Sequence, residues 1–244
     1  MIEFQPAPGR LPAGHRVYAI GDIHGCLDRL RELHAAIAAD LAARPVEQAL
    51  LLHVGDYVDR GPDSAGVVRL LAAGDPLPGV ATVNLMGNHE RTMLDALDGV
   101  GPSATDWMIS GGREALASWG GDPDAPRNTW PSHVPEPDMA FLRGLALRHQ
   151  VGGYFFAHAG IRPGVALGAQ TDQDLLTIRN SFLYGEQDFG VVVVHGHTPR
   201  AAPEVRHNRI GIDTGAVFGG KLTCAVLEAD RVGFLQVSPE TETV

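Results

Sequence analysis

Polar clusters rich in glycine directly follow five apolar runs in this sequence. The runs end at Ile20, Val54, Met86, Ala157 and Val194. The clusters that follow them are GDIHG (21–25), GDYVDRG (55–61), GNHE (87–90), HAG (158–160) and HGHT (195–198). Ligands of open α/β sheets bind beyond the carboxyl ends of the strands, so five such clusters are expected to converge on one site.

The chain before residue 98 alternates between strand and helix patterns. Short apolar runs typical of buried strands lie at Val17–Ile20, Ala49–Val54 and Val80–Met86. Between and after them, helices are predicted at Leu27–Leu41, where apolar residues recur at spacings of three and four, at Ser64–Ala73 and at Arg91–Leu97. This alternation predicts an α/β arrangement with parallel strand pairing.

Residues 99–137 interrupt the alternation, because they are rich in Gly, Pro, Asp and Trp and only Gly112–Trp119 has a helical pattern. We interpret them as an elaborated loop or cap within a single domain that spans residues 1–244. After a helix near 137–144, strands are predicted at Tyr154–Ala157, Val191–Val194, Ile210–Ile212 and Leu222–Leu227. A polar tail is expected to end the chain.

Composition narrows the class of protein. The formal net charge is -10, which argues against a nucleic-acid binder. The two cysteines, Cys26 and Cys224, form no CxxC pair and fit a reducing compartment. The first residues lack the apolar segment of a signal peptide, and no run approaches the roughly 18 apolar residues of a membrane span. The expectation is a cytoplasmic protein with no membrane partner, and the sequence carries no signal for an oligomeric state.

The residue types in the clusters indicate a metal site. Carboxylate, imidazole and amide ligands without thiolate suit Mn²⁺, Fe or Zn²⁺. Asp22 and His24 lie two residues apart, on the same side of an extended chain, and can bind one ion together. A two-metal site needs a ligand that bridges ions about 3.5–4 Å apart, and Asp56 is the natural candidate.

Taken together, GDIHG, GDYVDRG, GNHE, HAG and GHTP, followed by IDTGAV (212–217), resemble the phosphoprotein phosphatase branch of the calcineurin-like metallophosphoesterases. The small bacterial and phage serine/threonine phosphatases are the most similar members. The resemblance covers about Val17 to Leu227. It implies a four-layer α/β sandwich, in which two mixed β-sheets pack face to face and are flanked by helices.

The resemblance also implies a role for each matching residue. Asp22 and His24 would bind the first metal, Asp56 would bridge both, and Asn88, His158 and His197 would complete the second. A hydroxide between the two metals would attack phosphorus. His89 would protonate the leaving oxygen, oriented by Asp59. Arg60 and Arg179 would hold the phosphate oxygens.

The expected function is therefore that of a metal-dependent serine/threonine protein phosphatase, with a broad specificity left open. Its substrate would be a phosphorylated protein or a small phosphate ester, and its cofactors two divalent ions, with Mn²⁺ favoured and Fe or Zn²⁺ as alternatives. The main rival is a symmetrical diadenosine tetraphosphate hydrolase. In that relative, glutamine is expected in place of His24, and the residue corresponding to Asp59 is expected to be lost. A non-catalytic metal-binding scaffold is a second rival, although such proteins usually lose a ligand or the acid histidine.

Other polar residues receive less weight. Glu90 is explained by its favourable position at a helix N-terminus. His195 precedes His197 by two residues and is interpreted as a structural residue or a support for the ligands rather than a ligand. Trp107, Trp119 and Trp130 fit a substrate wall or core packing. The histidines without a motif are predicted to be structural or solvated, namely His15, His34, His53, His133, His149 and His207.

Overall fold

The computed structural model describes residues 2–74 and 76–239. The strands in these residues are β1 Gln5–Pro6, β2 His15–Ile20, β3 Gln48–His53, β4 Ala81–Asn84, β5 Arg148–Val151, β6 Tyr154–Ala157, β7 Val192–His195, β8 Glu204–Val205, β9 Arg209–Gly211, β10 Leu222–Glu228 and β11 Arg231–Val237. The α-helices are α1 Leu27–Ala43, α2 Ser64–Ala72, α3 Asn88–Leu97, α4 Ser103–Trp107, α5 Arg113–Ser118, α6 Glu136–Arg143, α7 Asp172–Thr177 and α8 Asn180–Leu183. None of the helices in these ranges has the length and apolar character needed to cross a membrane.

The strands form two mixed sheets. The first has the order β1-β11-β10-β2-β3-β4, and the second has the order β5-β6-β7-β9-β8. Within the first sheet β2, β3 and β4 are parallel, and within the second β6, β7 and β9 are parallel. The remaining pairs are antiparallel. The predicted fold, two mixed sheets flanked by helices, is confirmed.

Three apolar clusters hold the layers together. Alternate residues of a strand belong to different clusters. Tyr18 and Ile20 of β2 point into a cluster with the apolar faces of α1, α2 and α3. Val17 and Ala19, on the opposite face of the same strand, join a second cluster that includes Phe156 of the other sheet. A third cluster packs the outer face of the second sheet against α7 and α8. Because successive side chains of a strand point to opposite faces, each sheet contributes to two of these interfaces.

The structure corrects several predicted boundaries. Residues 99–137 contain more helix than expected: α4 continues into a π-helical segment at Met108–Gly112 and then α5, and a 3₁₀-helix follows at Arg127–His133. The helix after GNHE begins at Asn88 and not at Arg91. The sequence analysis predicted no strand after Leu227, but β11 follows and pairs with β10 along its whole length. Residues 240–244 of the expected polar tail lie outside the described residues. Charged and glycine residues in β11 had hidden its strand pattern.

Candidate metal centre

The carboxyl ends of the parallel strands supply the polar clusters, as the sequence predicts. In the first sheet, β2 leads to Asp22 and β3 leads to Asp56. In the second sheet, β6 leads to His158 and β7 leads to His197. Asn88, which follows β4, is the first residue of α3. The structure brings all of these side chains to one place between the ends of the two sheets.

Asp56 lies at the middle of the site. Its Oδ2 is 3.5 Å from Nε2 of His24, 3.4 Å from Nε2 of His158 and 4.0 Å from Nε2 of His89. Two groups of side chains that could hold a metal ion share this carboxylate. The groups are His24, Asp56 and His89, and Asp56, His158 and His197. A carboxylate shared in this way is the arrangement expected of a bridging ligand.

Backbone carbonyls fix which nitrogen two of the predicted ligands, His24 and His158, can offer to a metal ion. His24 Nδ1 donates to the carbonyl of Val58 at 2.7 Å, and His158 Nδ1 donates to the carbonyl of Val54 at 3.1 Å. Hydrogen bonds of this kind select the tautomer whose other nitrogen carries the lone pair. In both residues that nitrogen is Nε2, the atom that faces Asp56.

The second group brings one amide oxygen and two imidazole rings close together. Asn88 Oδ1 is 3.0 Å from His158 Nε2 and 2.8 Å from His197 Nδ1. Within residues 2–74 and 76–239, His197 Nε2 is buried and has no hydrogen-bond partner. Burial, followed by the neighbouring His158, lowers the pKa of His197 to about 3, so the ring is uncharged and one of its nitrogens keeps a lone pair. An uncharged imidazole beside a carboxylate and an amide oxygen fits a divalent metal ion.

Asp22 adds a further buried carboxylate. Both of its oxygens accept the main-chain N–H of His197, at 3.2 and 3.0 Å. Burial, with the nearby Asp213 and Asp56, raises the pKa of Asp22 well above its usual value. Carboxylates crowded into a buried site repel one another unless a cation lies among them. Asp213, which follows β9, is one of these crowded carboxylates. It was not among the site residues predicted from the sequence.

His89 and Asp59 form a buried hydrogen-bonded pair. His89 Nδ1 is 2.6 Å from Asp59 Oδ2, and the other oxygen of Asp59 accepts the indole N–H of Trp107 at 2.8 Å. Burial opposes the charged form of His89, but Asp56 and the bond to Asp59 outweigh it and raise the pKa. Trp107 thus connects residues 99–137 to this pair. Trp119 and Trp130 are also buried, which favours packing over a substrate wall.

The two predicted arginines occupy different positions. Arg60 Nη1 lies 2.8 Å from His24 Nε2, so metal binding by His24 requires Arg60 to release that nitrogen. Arg179 is exposed, and its Nη1 lies 3.4 Å from the hydroxyl of Thr198, the residue after His197. Arg60 therefore lies at the centre and Arg179 at its rim.

The backbone of the site is held in costly conformations. Among the residues described, the non-glycine residues with positive φ are His24, Asp56, Asp59, Arg60, His197 and Ala229, and all but the last are predicted site residues. Such conformations persist where the surrounding structure enforces them, and they cluster at functional sites. Gly87 and Gly196 leave room for predicted ligands, because a Cβ at Gly87 would overlap Asp56 Oδ1 and a Cβ at Gly196 would overlap Asp22 Oδ1.

Glu90 does more than favour a helix N-terminus. Its carboxylate is fully buried and accepts the main-chain N–H groups of Asp56, Tyr57, Val58 and Gly87 at 2.7–3.1 Å. It therefore ties the GDYVDRG loop to the start of α3. A glutamate one residue after His89 could have suggested this, but the sequence does not reveal which N–H groups it meets.

His195 lies outside both candidate metal groups. Its Nδ1 is 3.0 Å from the carbonyl of Gly196, and its ring packs edge-on against Phe182. Burial lowers its pKa to about 4. These contacts favour a structural role over ligation.

Comparison with known proteins identifies the family. The model of the calcineurin-like phosphoesterases matches residues 15–233. The chain belongs to this family. The protein is therefore a hydrolase of phosphate esters, and the predicted resemblance is confirmed. Phosphoesterases of this family use divalent metals, which the residues around Asp56 could hold.

Individual relatives of the phosphoesterase differ in the substrate that their names give. The chain is 30% identical to serine/threonine-protein phosphatase 1 of Salmonella typhimurium, over 87% of this chain and 92% of that protein. It is 33% identical to the symmetrical bis(5'-nucleosyl)-tetraphosphatase of Aromatoleum aromaticum, over 61% of this chain but only 45% of that protein. It is also 29% identical to an asymmetrical bis(5'-nucleosyl)-tetraphosphatase of Bacillus cereus, over 84% of this chain and 87% of that protein.

Solved structures share the fold of this phosphoesterase. A proposed diadenosine tetraphosphatase superposes with a TM-score of 0.64 at 23% identity, over 92% of this chain and 95% of that chain. A cold-active protein-tyrosine phosphatase of a Shewanella species superposes with a TM-score of 0.59 at 16% identity, over 96% of this chain and 84% of that chain. At these identities the likeness concerns the fold alone.

Proposed function

We propose that this phosphoesterase is a phosphomonoesterase with two metal ions, and that it acts on serine/threonine phosphoproteins and small phosphate esters. The observation that carries the proposal is the position of Asp56, whose carboxylate belongs to both candidate metal groups while His89 faces it from the Asp59 pair. Asp22, His24 and Asp56 would hold one ion. Asp56, Asn88, His158 and His197 would hold the other, with Mn²⁺ the favoured metal.

Divalent ions bound at these residues would supply an activated water and neutralise charge on the phosphate oxygens. The chain's own contribution begins with the His89–Asp59 pair. Asp59 holds Nδ1 of His89 and leaves Nε2 directed toward Asp56, where the reacting phosphate would bind. The raised pKa of His89 favours its charged form, which can donate the Nε2 proton to the leaving oxygen.

The arginines would bind the phosphate group itself. Arg60, once it releases His24, presents a planar guanidinium beside the centre, and such a group can bind two phosphate oxygens at once. Arg179 would contribute from the rim. Glu90 holds the main-chain N–H of Asp56, and Gly87 leaves room for the Asp56 carboxylate, so the chain fixes the position of this carboxylate before the reaction.

A dinucleoside tetraphosphate hydrolase is the second candidate, and relatives with that name favour it. The serine/threonine phosphatase relative is aligned over 92% of its own length, whereas the symmetrical hydrolase is aligned over 45%. The first comparison supports the monoesterase, but the asymmetrical hydrolase is aligned almost as fully as the phosphatase. Substrate class must therefore be decided by experiment.

The decisive experiment compares kcat/KM for a phosphoserine peptide, a phosphothreonine peptide, p-nitrophenyl phosphate and diadenosine tetraphosphate, with Mn²⁺ and with a chelator. We expect monoester hydrolysis that needs metal and that drops in His89→Asn. Preferential cleavage of diadenosine tetraphosphate by about 100-fold or more would favour the second candidate. Absence of hydrolysis with any of Mn²⁺, Fe²⁺ and Zn²⁺ would exclude both and favour the scaffold.

A further inference from the structure

Phe218 is a large apolar side chain exposed beside the metal centre. Its relative exposure is 65%, and the guanidinium carbon of Arg60 lies 5.4 Å from the centre of its ring. The same guanidinium contacts Nε2 of His24 through Nη1. One arginine side chain therefore spans the distance between the phenyl ring and a predicted metal ligand.

The exposure of this ring is built into the fold. Phe218 ends a one-turn 3₁₀-helix that begins at Ala216, between Gly215 and Gly219, which have φ of +68° and +86°. The guanidinium of Arg29 donates to the carbonyls of Ala216 and Gly220, and the N–H of Gly215 donates to Asp213 Oδ1. The turn is thus fixed at both ends to buried structure, and its one large side chain is left facing solvent.

An exposed aromatic ring on a turn whose backbone is held in place is suited to stacking. Arg60 occupies one position near the ring, and most of the remaining surface is accessible. A second ring can stack offset or edge-on against such a surface, with a gain beyond that of apolar burial alone. Because the ring lies within one side chain of the metal centre, its partner would be the group attached to the phosphate.

We propose that Phe218 is a specificity-determining residue that stacks an aromatic leaving group of a phosphate ester bound at the metal centre. This inference rests on the proposed phosphoesterase site around Asp56. The shared chemistry of the ligand is a flat ring near the phosphate. That ring could be the phenol ring of an aryl ester such as phosphotyrosine, or the base of a nucleotide.

A purely structural explanation makes a different prediction. If Phe218 only holds Arg60 in place, its replacement should slow the hydrolysis of every ester by a similar factor. If Phe218 stacks the leaving group, its replacement should penalise aromatic esters and spare aliphatic ones. The ratio of kcat/KM between the two ester types therefore separates these roles.

The test measures that ratio for phenyl phosphate against propyl phosphate, and for a phosphotyrosine peptide against a phosphoserine peptide of the same sequence. We expect Phe218→Leu to lower both ratios about three- to tenfold, and Phe218→Trp to preserve or raise them. Phe4→Leu is the matched control, because Phe4 also packs against arginines, Arg44 and Arg231, but lies at the far edge of the first sheet beside β1. It should leave both ratios unchanged.

A comparison of nucleotide substrates shows whether the stacked ring belongs to a nucleobase or to an aryl ester. A fall in the ratio of adenosine monophosphate to ribose 5-phosphate in Phe218→Leu, without a fall for phenyl phosphate, would assign the ring to a nucleobase. The reverse pattern would assign it to an aryl ester. If none of the ratios changes, or if all rates fall in parallel, the proposal is overturned.

Binding provides a readout that does not depend on hydrolysis. Calorimetric titration of the Mn²⁺-loaded protein with phenylphosphonate and with propylphosphonate should show tighter binding of the phenyl compound, and Phe218→Leu should remove that preference. Failure of the proposed function would appear as a wild-type protein inactive on every ester. In that case equal affinity for the two phosphonates would overturn the stacking proposal independently, and a preference lost in Phe218→Leu would sustain it.

Discussion

Two sets of buried histidines lie close together in this protein and differ in what surrounds them. The first set surrounds Asp56 in the candidate metal centre and consists of His24, His89, His158 and His197. The second set is a pair, His34 of α1 and His53 of β3, whose Nε2 atoms are 3.1 Å apart. His53 is only three residues before Asp56, on the same strand and loop.

The pair is satisfied without any charge. His53 Nδ1 donates to Asn84 Oδ1 at 2.8 Å, which leaves its Nε2 to accept the Nε2–H of His34. Burial lowers the pKa of His34 to about 4 and, with help from His34, that of His53 to about 3. Both rings therefore stay neutral at physiological pH.

In the candidate metal centre, the carboxylate of Asp56 changes the pKa of a buried histidine. His158 is as deeply buried as His53, and burial acts against its charged form too, but Asp56 outweighs that effect and raises its pKa. The comparison shows that a buried carboxylate can outweigh the effect of burial on an imidazole, as Asp56 does for His158 and His89, whereas the pair without a carboxylate stays uncharged. Asp56 is therefore the residue whose loss should matter most.

Replacing the central carboxylate should have the largest effect. In Asp56→Asn both candidate groups lose their shared charged ligand, so we expect kcat/KM to fall by at least about 10³-fold and bound metal to fall below one ion per chain. Activity on p-nitrophenyl phosphate and metal content by mass spectrometry provide the measurements. His34→Gln is the matched control, because it alters the uncharged pair and should keep both ions. Two tightly bound ions in Asp56→Asn would refute the bridging role.

Removing the proposed proton donor should have the next largest effect. His89→Asn should lower kcat about 10²- to 10³-fold on an alkyl phosphate while metal content stays near normal, because His89 is proposed to donate a proton. The loss should be smaller for p-nitrophenyl phosphate, whose leaving group needs little protonation. Asp59→Asn should reproduce the pattern, and the double variant should be little worse than either single one.

Metal analysis decides between donation and ligation for His89, since the structure groups it with His24 and Asp56. Loss of an ion in His89→Asn would show that the residue is a ligand. An equal loss of activity for alkyl and nitrophenyl esters would also contradict the proton-donor role.

Glu90 provides a third prediction, because the oxygens of its carboxylate already accept hydrogen bonds from main-chain N–H groups. In Glu90→Gln, an amide N–H₂ replaces one of the two carboxylate oxygens. At least two of the four main-chain N–H groups would then lose their hydrogen-bond acceptor. We expect the free energy of unfolding to fall by about 2–3 kcal/mol. Urea denaturation measures this, with Glu136→Gln at an exposed position as the control. An unchanged stability would mean that water or a rearranged loop replaces the carboxylate.

Sequence patterns alone predicted that the polar clusters converge, but they predicted only part of the fold around those clusters. Each metal-site residue directly follows an apolar strand, and strand ends in parallel sheets meet at one edge, so the sequence alone places the clusters together. The arrangement of two sheets came only from the family resemblance. β11, α4 and the 3₁₀-helix at Arg127–His133 were missed because their polar and glycine residues interrupt any regular period, whereas α5 lies within the helical pattern predicted at Gly112–Trp119.

The contacts that complete the site were beyond the reach of sequence patterns. The bond from Trp107 to Asp59 joins residues 48 positions apart and depends on how α4 packs against the loop. Asp213 follows a strand as the other clusters do, so the same rule could have included it. Roles such as metal bridging or proton donation depend on bound ions and substrate, which only the proposed experiments supply.

The uncharged histidine pair should give the smallest effect, visible as a dependence of stability on pH. His34 has an ordinary pKa near 6.5 in the unfolded chain and about 4 in the folded protein. The unfolded chain therefore binds more protons between these values, so this contribution to stability is present above pH 6.5 and is lost as the pH falls toward 4. His34→Gln retains a donor for His53 Nε2 but does not titrate.

Between pH 6.5 and 4, wild-type protein should therefore lose on the order of 2 kcal/mol more unfolding free energy than His34→Gln. Urea denaturation across that range provides the measurement, and His207→Gln, at an exposed position, should follow the wild type. The metal-site histidines are present in all three proteins, so their titration cancels in the difference. Identical pH profiles for wild type and His34→Gln would mean that His34 can accept a proton inside the fold, and a histidine pair without a carboxylate could then carry charge after all.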